Sequence, residues 1–125
     1  MSGTESRFAG AGLFFLLIFL SGIWLSRSGR PLSGVLLTIH KLISLAAAVF
    51  LVVTVYQMNQ VATLSGMELI VLVVTGLLFL GTGIIGGVLS TDKPLPGAML
   101  RLHQIGPILT VLSSAATLYL LLIRQ

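Results

Sequence analysis

The chain has 125 residues, of which 56% are hydrophobic and only 8% are charged, and it contains no cysteine. Its mean hydropathy is +1.11. A soluble domain of this length could not hide so much apolar side-chain surface, which leaves lipid as the solvent for most of the chain. The absence of cysteine excludes disulfides, thiolate metal sites and covalently attached c-type haem.

Four apolar runs are each long enough to cross a membrane, which takes roughly 20 residues. They cover about residues 8–25, 35–56, 68–89 and 98–123. The first run follows a leader with one arginine and one glutamate, a weak signal-peptide pattern, so we expect it to be retained as a span. The sequence therefore predicts an all-α integral membrane protein: an antiparallel four-helix transmembrane bundle that forms a single domain over 1–125.

The net charge of +4 is mainly a topology signal, and we expect no nucleic-acid partner. The connection at 57–67 has no basic residue, and by the positive-inside bias the first and third connections are cytoplasmic, with both termini outside. A bacterial cytoplasmic membrane is the expected location. Five of the seven basic residues belong to those two connections or to the adjoining helix starts: Arg27, Arg30, Lys41, Lys93 and Arg101.

The chain contains an internal repeat, which bears directly on its architecture. A shift of 63 residues places segment 30–34 on segment 93–97 and His40 on His103. Repeat 1 covers about 8–57 and repeat 2 about 68–123. Two halves inserted in the same direction are parallel repeats, related by an axis along the membrane normal. Further matching pairs are Leu37 with Leu100, Thr54 with Thr117, and Tyr56 with Tyr119.

Both histidines are predicted to point into the bundle. Each lies about six residues into its helix, roughly 9 Å below the helix start, so their depths agree. Residues 4, 7, 11 and 14 positions later share the histidine's face. Pro107 cannot donate to the carbonyl of His103, so we also predict a kink there. The two faces are small or polar: Ser44, Ala47, Leu51 and Thr54 in one helix, and Pro107, Thr110, Ser114 and Thr117 in the other.

Two imidazoles at one depth match the needs of a haem iron, which brings four nitrogens and takes two axial ligands from the protein. We therefore expect His40 and His103 to bind one non-covalent haem b. Zinc commonly takes three protein ligands even at catalytic sites, and Met99 is the only obvious additional ligand for copper. The three carboxylates lie at the edges of the spans: Glu5, Glu68 and Asp92.

Other residues at the histidines' depth are candidates for holding the porphyrin. Gly22, Gly83 and Gly86 would remove side-chain bulk beside the haem plane, although glycines spaced like Gly83 and Gly87 also occur in ordinary close helix packing. Lys41 and Arg101 would meet the two propionates. The basic residues of the connections are expected to set topology and to reach the membrane surface.

This pattern resembles the membrane b-type cytochromes, in which histidines on separate spans hold haem inside a four-helix bundle. The resemblance rests on His40, His103, their small-residue faces and the glycines opposite them. It implies an electron carrier or redox subunit, more than a stand-alone enzyme, with a quinol or flavoprotein as electron donor. A second histidine pair, present in two-haem members, is missing; Tyr56 and Tyr119, about 24 Å further along, are expected to be interfacial anchors.

Two other classes of function remain open from the sequence. A small proton-coupled transporter could use the histidines as a proton relay. The small multidrug transporters have a similar length, but they depend on a glutamate in the first span, and 8–25 contains none. An assembly or structural protein of the membrane would use the histidines only for helix packing.

Overall fold

The computed structural model describes residues 3–29, 31–91 and 94–123, and within these ranges all regular structure is α-helical. The prediction of an all-α membrane fold with four spanning helices is confirmed. Arg30, Asp92 and Lys93 lie outside the described residues. The helices are α1 (Gly3–Arg27), α2 (Gly34–Val61), α3 (Gly66–Leu89) and α4 (Gly97–Ile123).

All four helices are long and apolar enough to cross a membrane. Each also exposes large apolar side chains that water would not tolerate in such density. The helices extend beyond the apolar runs, because the polar residues at 3–7 and 57–61 contain no helix-breaking proline and continue the helical backbone. One exposed side chain from each helix illustrates the lipid-facing surface: Leu13 (58%), Val52 (69%), Leu77 (64%) and Leu112 (63%).

The chain divides into two compact units, Met1–Val61 and Ala62–Gln125. Each unit is a helix hairpin, α1 with α2 and α3 with α4. The division falls inside the 57–67 connection, between the two copies of the sequence repeat. α3 then begins with a capping box: Ser65 N–H donates to Glu68 Oε2 at 2.8 Å, and Glu68 N–H donates to Ser65 Oγ at 3.3 Å. This bonding explains how Glu68 is buried at a helix start.

Each hairpin buries residues spaced seven apart, the period of left-handed helix packing. In α1 these are Ala11, Ile18 and Leu25; in α2, Ala47 and Thr54. His40 lies one heptad before Ala47, so it occupies a packing position. The second hairpin follows the same pattern, and His103 lies one heptad before a buried threonine. Its buried residues at this spacing are Thr75 and Leu89 in α3 and Thr110 and Thr117 in α4.

The repeat is not uniform along the chain. α2 and α4 match at a shift of 63 residues, which is nine heptads, so the packing phase is kept. The buried positions of α1 and α3 match at a shift of 64, because the first connection holds one residue more than the third. Gly29 lies in that longer connection with φ of 76°, a left-handed conformation that favours glycine. Gly22 and Gly86 thereby become equivalent.

α4 is continuous through Pro107. Proline at this position supplies no N–H to the carbonyl of His103. The kink stays a prediction.

Candidate functional site

His103 is oriented by the helix that precedes it. Its Nδ1 lies 3.1 Å from the backbone carbonyl oxygen of Thr82 in α3, and the ring is half-buried. A carbonyl oxygen can only accept a hydrogen bond, so Nδ1 carries the hydrogen and donates it. In the neutral ring the lone pair is then on Nε2.

His40 is oriented in the same way by a different chemical group. Its Nδ1 lies 2.9 Å from Ser21 Oγ in α1. The Ser21 hydroxyl already donates to the carbonyl oxygen of Ile18 at 3.0 Å, so its oxygen is the acceptor and His40 Nδ1 is the donor. His40 therefore has the same tautomer as His103, with its lone pair on Nε2.

This arrangement is the one that metal-binding histidines use. A ligating imidazole usually donates its second ring N–H to a carbonyl or another acceptor, which fixes the tautomer and orients the ring. Each hairpin supplies one such imidazole, held by the helix before it. The fit to haem lies in this donor set: two neutral rings, each with the coordinating nitrogen at Nε2.

Gly22 and Gly86 adjoin the histidine rings themselves. A Cβ atom on Gly22 would lie 3.2 Å from His40 Cε1, and one on Gly86 would lie 2.6 Å from His103 Cε1. The latter distance is shorter than van der Waals contact, so only glycine leaves room for the ring. Gly83 does not take part: it is exposed, and a Cβ there would meet nothing within 4 Å.

The two cations predicted to meet propionates, Lys41 and Arg101, have exposed side chains at the same ends of α2 and α4 as the histidines. The predicted small-residue faces are buried at five positions: Ala47, Thr54, Thr110, Ser114 and Thr117. Three other members of these faces, Ser44, Leu51 and Pro107, are half-buried.

Three contributors were not predicted from the sequence: Ser21, Thr82 and Gly106. The last lies against Thr82, and a Cβ on Gly106 would clash with the Thr82 hydroxyl. The available signal was the spacing. Thr82 precedes His103 by 21 residues, three heptads, and Ser21 precedes His40 by 19. In an antiparallel hairpin, however, such spacings identify partners only when the length of the connection is known.

In the described ranges, no three His, Cys, Asp or Glu side chains come together, so those residues do not form a zinc site with three protein ligands. Comparison with family models, with curated proteins and with solved structures finds no match for this chain. Its function is therefore inferred from the two histidine sites.

The hydrogen bond from His40 to Ser21 gives a first prediction. In Ser21→Ala, the Nδ1–H loses its acceptor in a buried setting, so we expect the free energy of unfolding to fall by about 1–3 kcal/mol. We also expect ¹⁵N NMR of His40 to show a weakened preference for the Nδ1–H tautomer.

Ser28→Ala is the matched control, because the Ser28 hydroxyl likewise donates to the carbonyl three residues earlier, at 2.9 Å, but does not contact a histidine in the described structure. Equal stability and an unchanged His40 tautomer in Ser21→Ala would contradict the assignment.

Proposed function

We propose that this chain is a membrane b-type cytochrome that binds one haem through Nε2 of His40 and Nε2 of His103 and transfers electrons. The observation that carries the proposal is the matched orientation of the two imidazoles. Each is held through Nδ1–H by the helix before it, at equivalent positions of two hairpins. Packing alone does not require the same tautomer twice.

The number of donors supports the same reading. The sequence contains two histidines and no cysteine, and a haem iron asks the protein for two axial ligands. Ionisable residues inside a membrane are costly and usually have a function. Neutral imidazoles avoid most of that cost, because ligation needs the uncharged ring.

The chain's own residues have distinct roles in this proposal. Ser21 Oγ and the Thr82 carbonyl retain the Nδ1 protons and aim the rings, while Gly22 and Gly86 provide the space in which the rings lie. Lys41 and Arg101 would neutralise the propionates at the membrane edge. The apolar helices exclude water from the iron's surroundings, which is one of the factors that set a haem's potential. When bound, the haem supplies reversible one-electron chemistry, with both axial positions filled.

Electron donor and acceptor follow from location. A redox group held inside the bilayer can be reached by a quinol from the lipid or by a flavoprotein at the surface, and both are proposed as donors. The proposed orientation has the first and third connections in the cytoplasm of a bacterial cell, because the basic residues favour that side. Arg27, Lys41 and Arg101 are exposed at these ends.

The direct test is haem titration into the purified full chain in lipid nanodiscs. We expect saturation at one haem per chain, a sharpened Soret band, and split visible bands after reduction. A chain that binds no haem saturably would overturn the proposal. If that colourless chain carried a pH-dependent transport current, the histidines would instead belong to a proton relay.

A further inference from the structure

The second hairpin contains a group of hydroxyl side chains that the first lacks. Thr117 alone has a hydroxyl counterpart, Thr54, at the equivalent position of the first hairpin. The other equivalents are apolar, so the hairpin architecture does not need these hydroxyls. The hydroxyl group consists of Thr75, Thr110, Ser113, Ser114 and Thr117, and the equivalents are Ala11, Ala47, Phe50, Leu51 and Thr54.

The contrast in packing is direct. In the first hairpin, Phe50 packs on Phe14 with ring centroids 5.3 Å apart. In the second hairpin, Ser113 at the same position forms a short hydrogen bond with Thr75 across the helix pair, and Thr75 Oγ1 also lies 3.3 Å from Thr117 Oγ1. An apolar contact is thus replaced by a hydroxyl cluster inside a membrane-spanning hairpin.

Most of these hydroxyls also bond to their own helix. Thr110 donates to the Gly106 carbonyl at 2.8 Å, and Thr117 donates to the Ser113 carbonyl at 2.9 Å. Ser114 differs. It is only 3% exposed, lies on the same face of α4 as Thr110 and Thr117, and its buried Oγ has no hydrogen-bond partner. Burying a hydroxyl without a partner costs about 1–3 kcal/mol, so the site calls for a hydrogen-bonding ligand.

The spacing of the polar groups matches water as that ligand. Along α4, Gly106 (against which Thr82 lies), Thr110, Ser114 and Thr117 follow His103 at intervals of three or four residues. These intervals correspond to a rise of about 4.5–6 Å each. One water that bridges two hydroxyls through hydrogen bonds of about 2.8 Å covers a similar distance. A fully enclosed oxygen also favours water over a larger molecule.

We propose that the second hairpin binds water at Ser114 Oγ, and that this water extends the hydroxyl cluster toward His103 as a polar track. The track would let solvent protons approach from the C-terminal part of α4, each oxygen accepting one proton as it passes on another. Its use for charge compensation when an electron arrives rests on the proposed function. The water site itself does not.

Water-edited solid-state NMR on the full chain in lipid bilayers tests the proposal. Magnetisation transfer from water protons should reach Ser114 and Thr110 several-fold faster than it reaches Leu51 and Ala47, the equivalent positions of the first hairpin. Ser114→Ala should slow the transfer to Thr110 by about tenfold, as expected for loss of a bridging hydrogen bond. Thr54 is the internal control, because its hydroxyl bonds to the Phe50 carbonyl at 2.8 Å and has no hydroxyl cluster around it.

Equal transfer rates at Ser114 and Leu51 would overturn the proposal, as would an unchanged rate at Thr110 in Ser114→Ala. The outcome is independent of haem. A chain that fails to bind haem but shows rapid transfer at Ser114 has lost only the proposed function, and a chain that binds haem with a dry Ser114 has lost only the water site.

Discussion

Replacing either histidine by alanine is expected to abolish tight haem binding. The loss should exceed the roughly 10- to 100-fold that accompanies removal of a hydrogen bond orienting a metal-bound imidazole, because an axial ligand itself is removed. Haem titration followed by the Soret band measures the effect. His103→Met should behave differently, since methionine is an established haem ligand and would retain a six-coordinate iron with altered potential.

The matched controls are Ile39→Ala and Leu102→Ala. Each residue immediately precedes a histidine, and their side chains are 43% and 53% exposed. Both variants should bind haem like the original chain. Undiminished affinity in His40→Ala or in His103→Ala would show that the corresponding ring is not a ligand.

Gly86→Ala is expected to displace the His103 ring and weaken both stability and haem binding. Its new Cβ would lie 2.6 Å from Cε1 and 3.1 Å from Nδ1 of His103. Accommodating it requires movement of the ring or of the helix pair, and overpacking of this kind typically costs about 1–3 kcal/mol. Gly22→Ala should have a smaller effect, because its Cβ would meet His40 at 3.2 Å.

Two neighbouring glycines give matched controls for the same substitution. A Cβ on Gly83 or on Gly87 meets nothing within 4 Å, so both alanine variants should leave the unfolding free energy and the haem affinity nearly unchanged. The predicted order of effects is therefore Gly86 first, Gly22 second, and Gly83 with Gly87 last. A Gly86→Ala variant as stable as Gly83→Ala would contradict the placement of the ring.

The number and type of helices were predictable because long apolar runs leave few alternatives. The ends of α1 and α2 were not, since residues 3–7 and 57–61 are polar and periodic apolarity stops before the helix does. The small-residue faces of both histidine helices were predictable from helical periodicity. Burial of Thr54 and Thr117 agrees with that reasoning.

The partners of the histidines were not predictable from the repeat. A shift of 63 residues places Gly22 on Ile85, and only a shift of 64 places it on Gly86. The extra residue in the first connection changes the register between the paired helices. Sequence reasoning located glycines at the right depth, but which of them contacts a ring depends on the rotation of α3 against α4.

The most direct test of the two-histidine ligation is pulsed electron paramagnetic resonance of the ferric haem-loaded chain, prepared once with ordinary and once with ¹⁵N-labelled histidine. Ligation by both residues predicts a low-spin iron whose hyperfine spectrum contains two histidine nitrogens that change on labelling. His40→Met should lose one of the two. A high-spin iron, or a low-spin iron coupled to a single labelled nitrogen in the unsubstituted chain, would contradict joint ligation by His40 and His103.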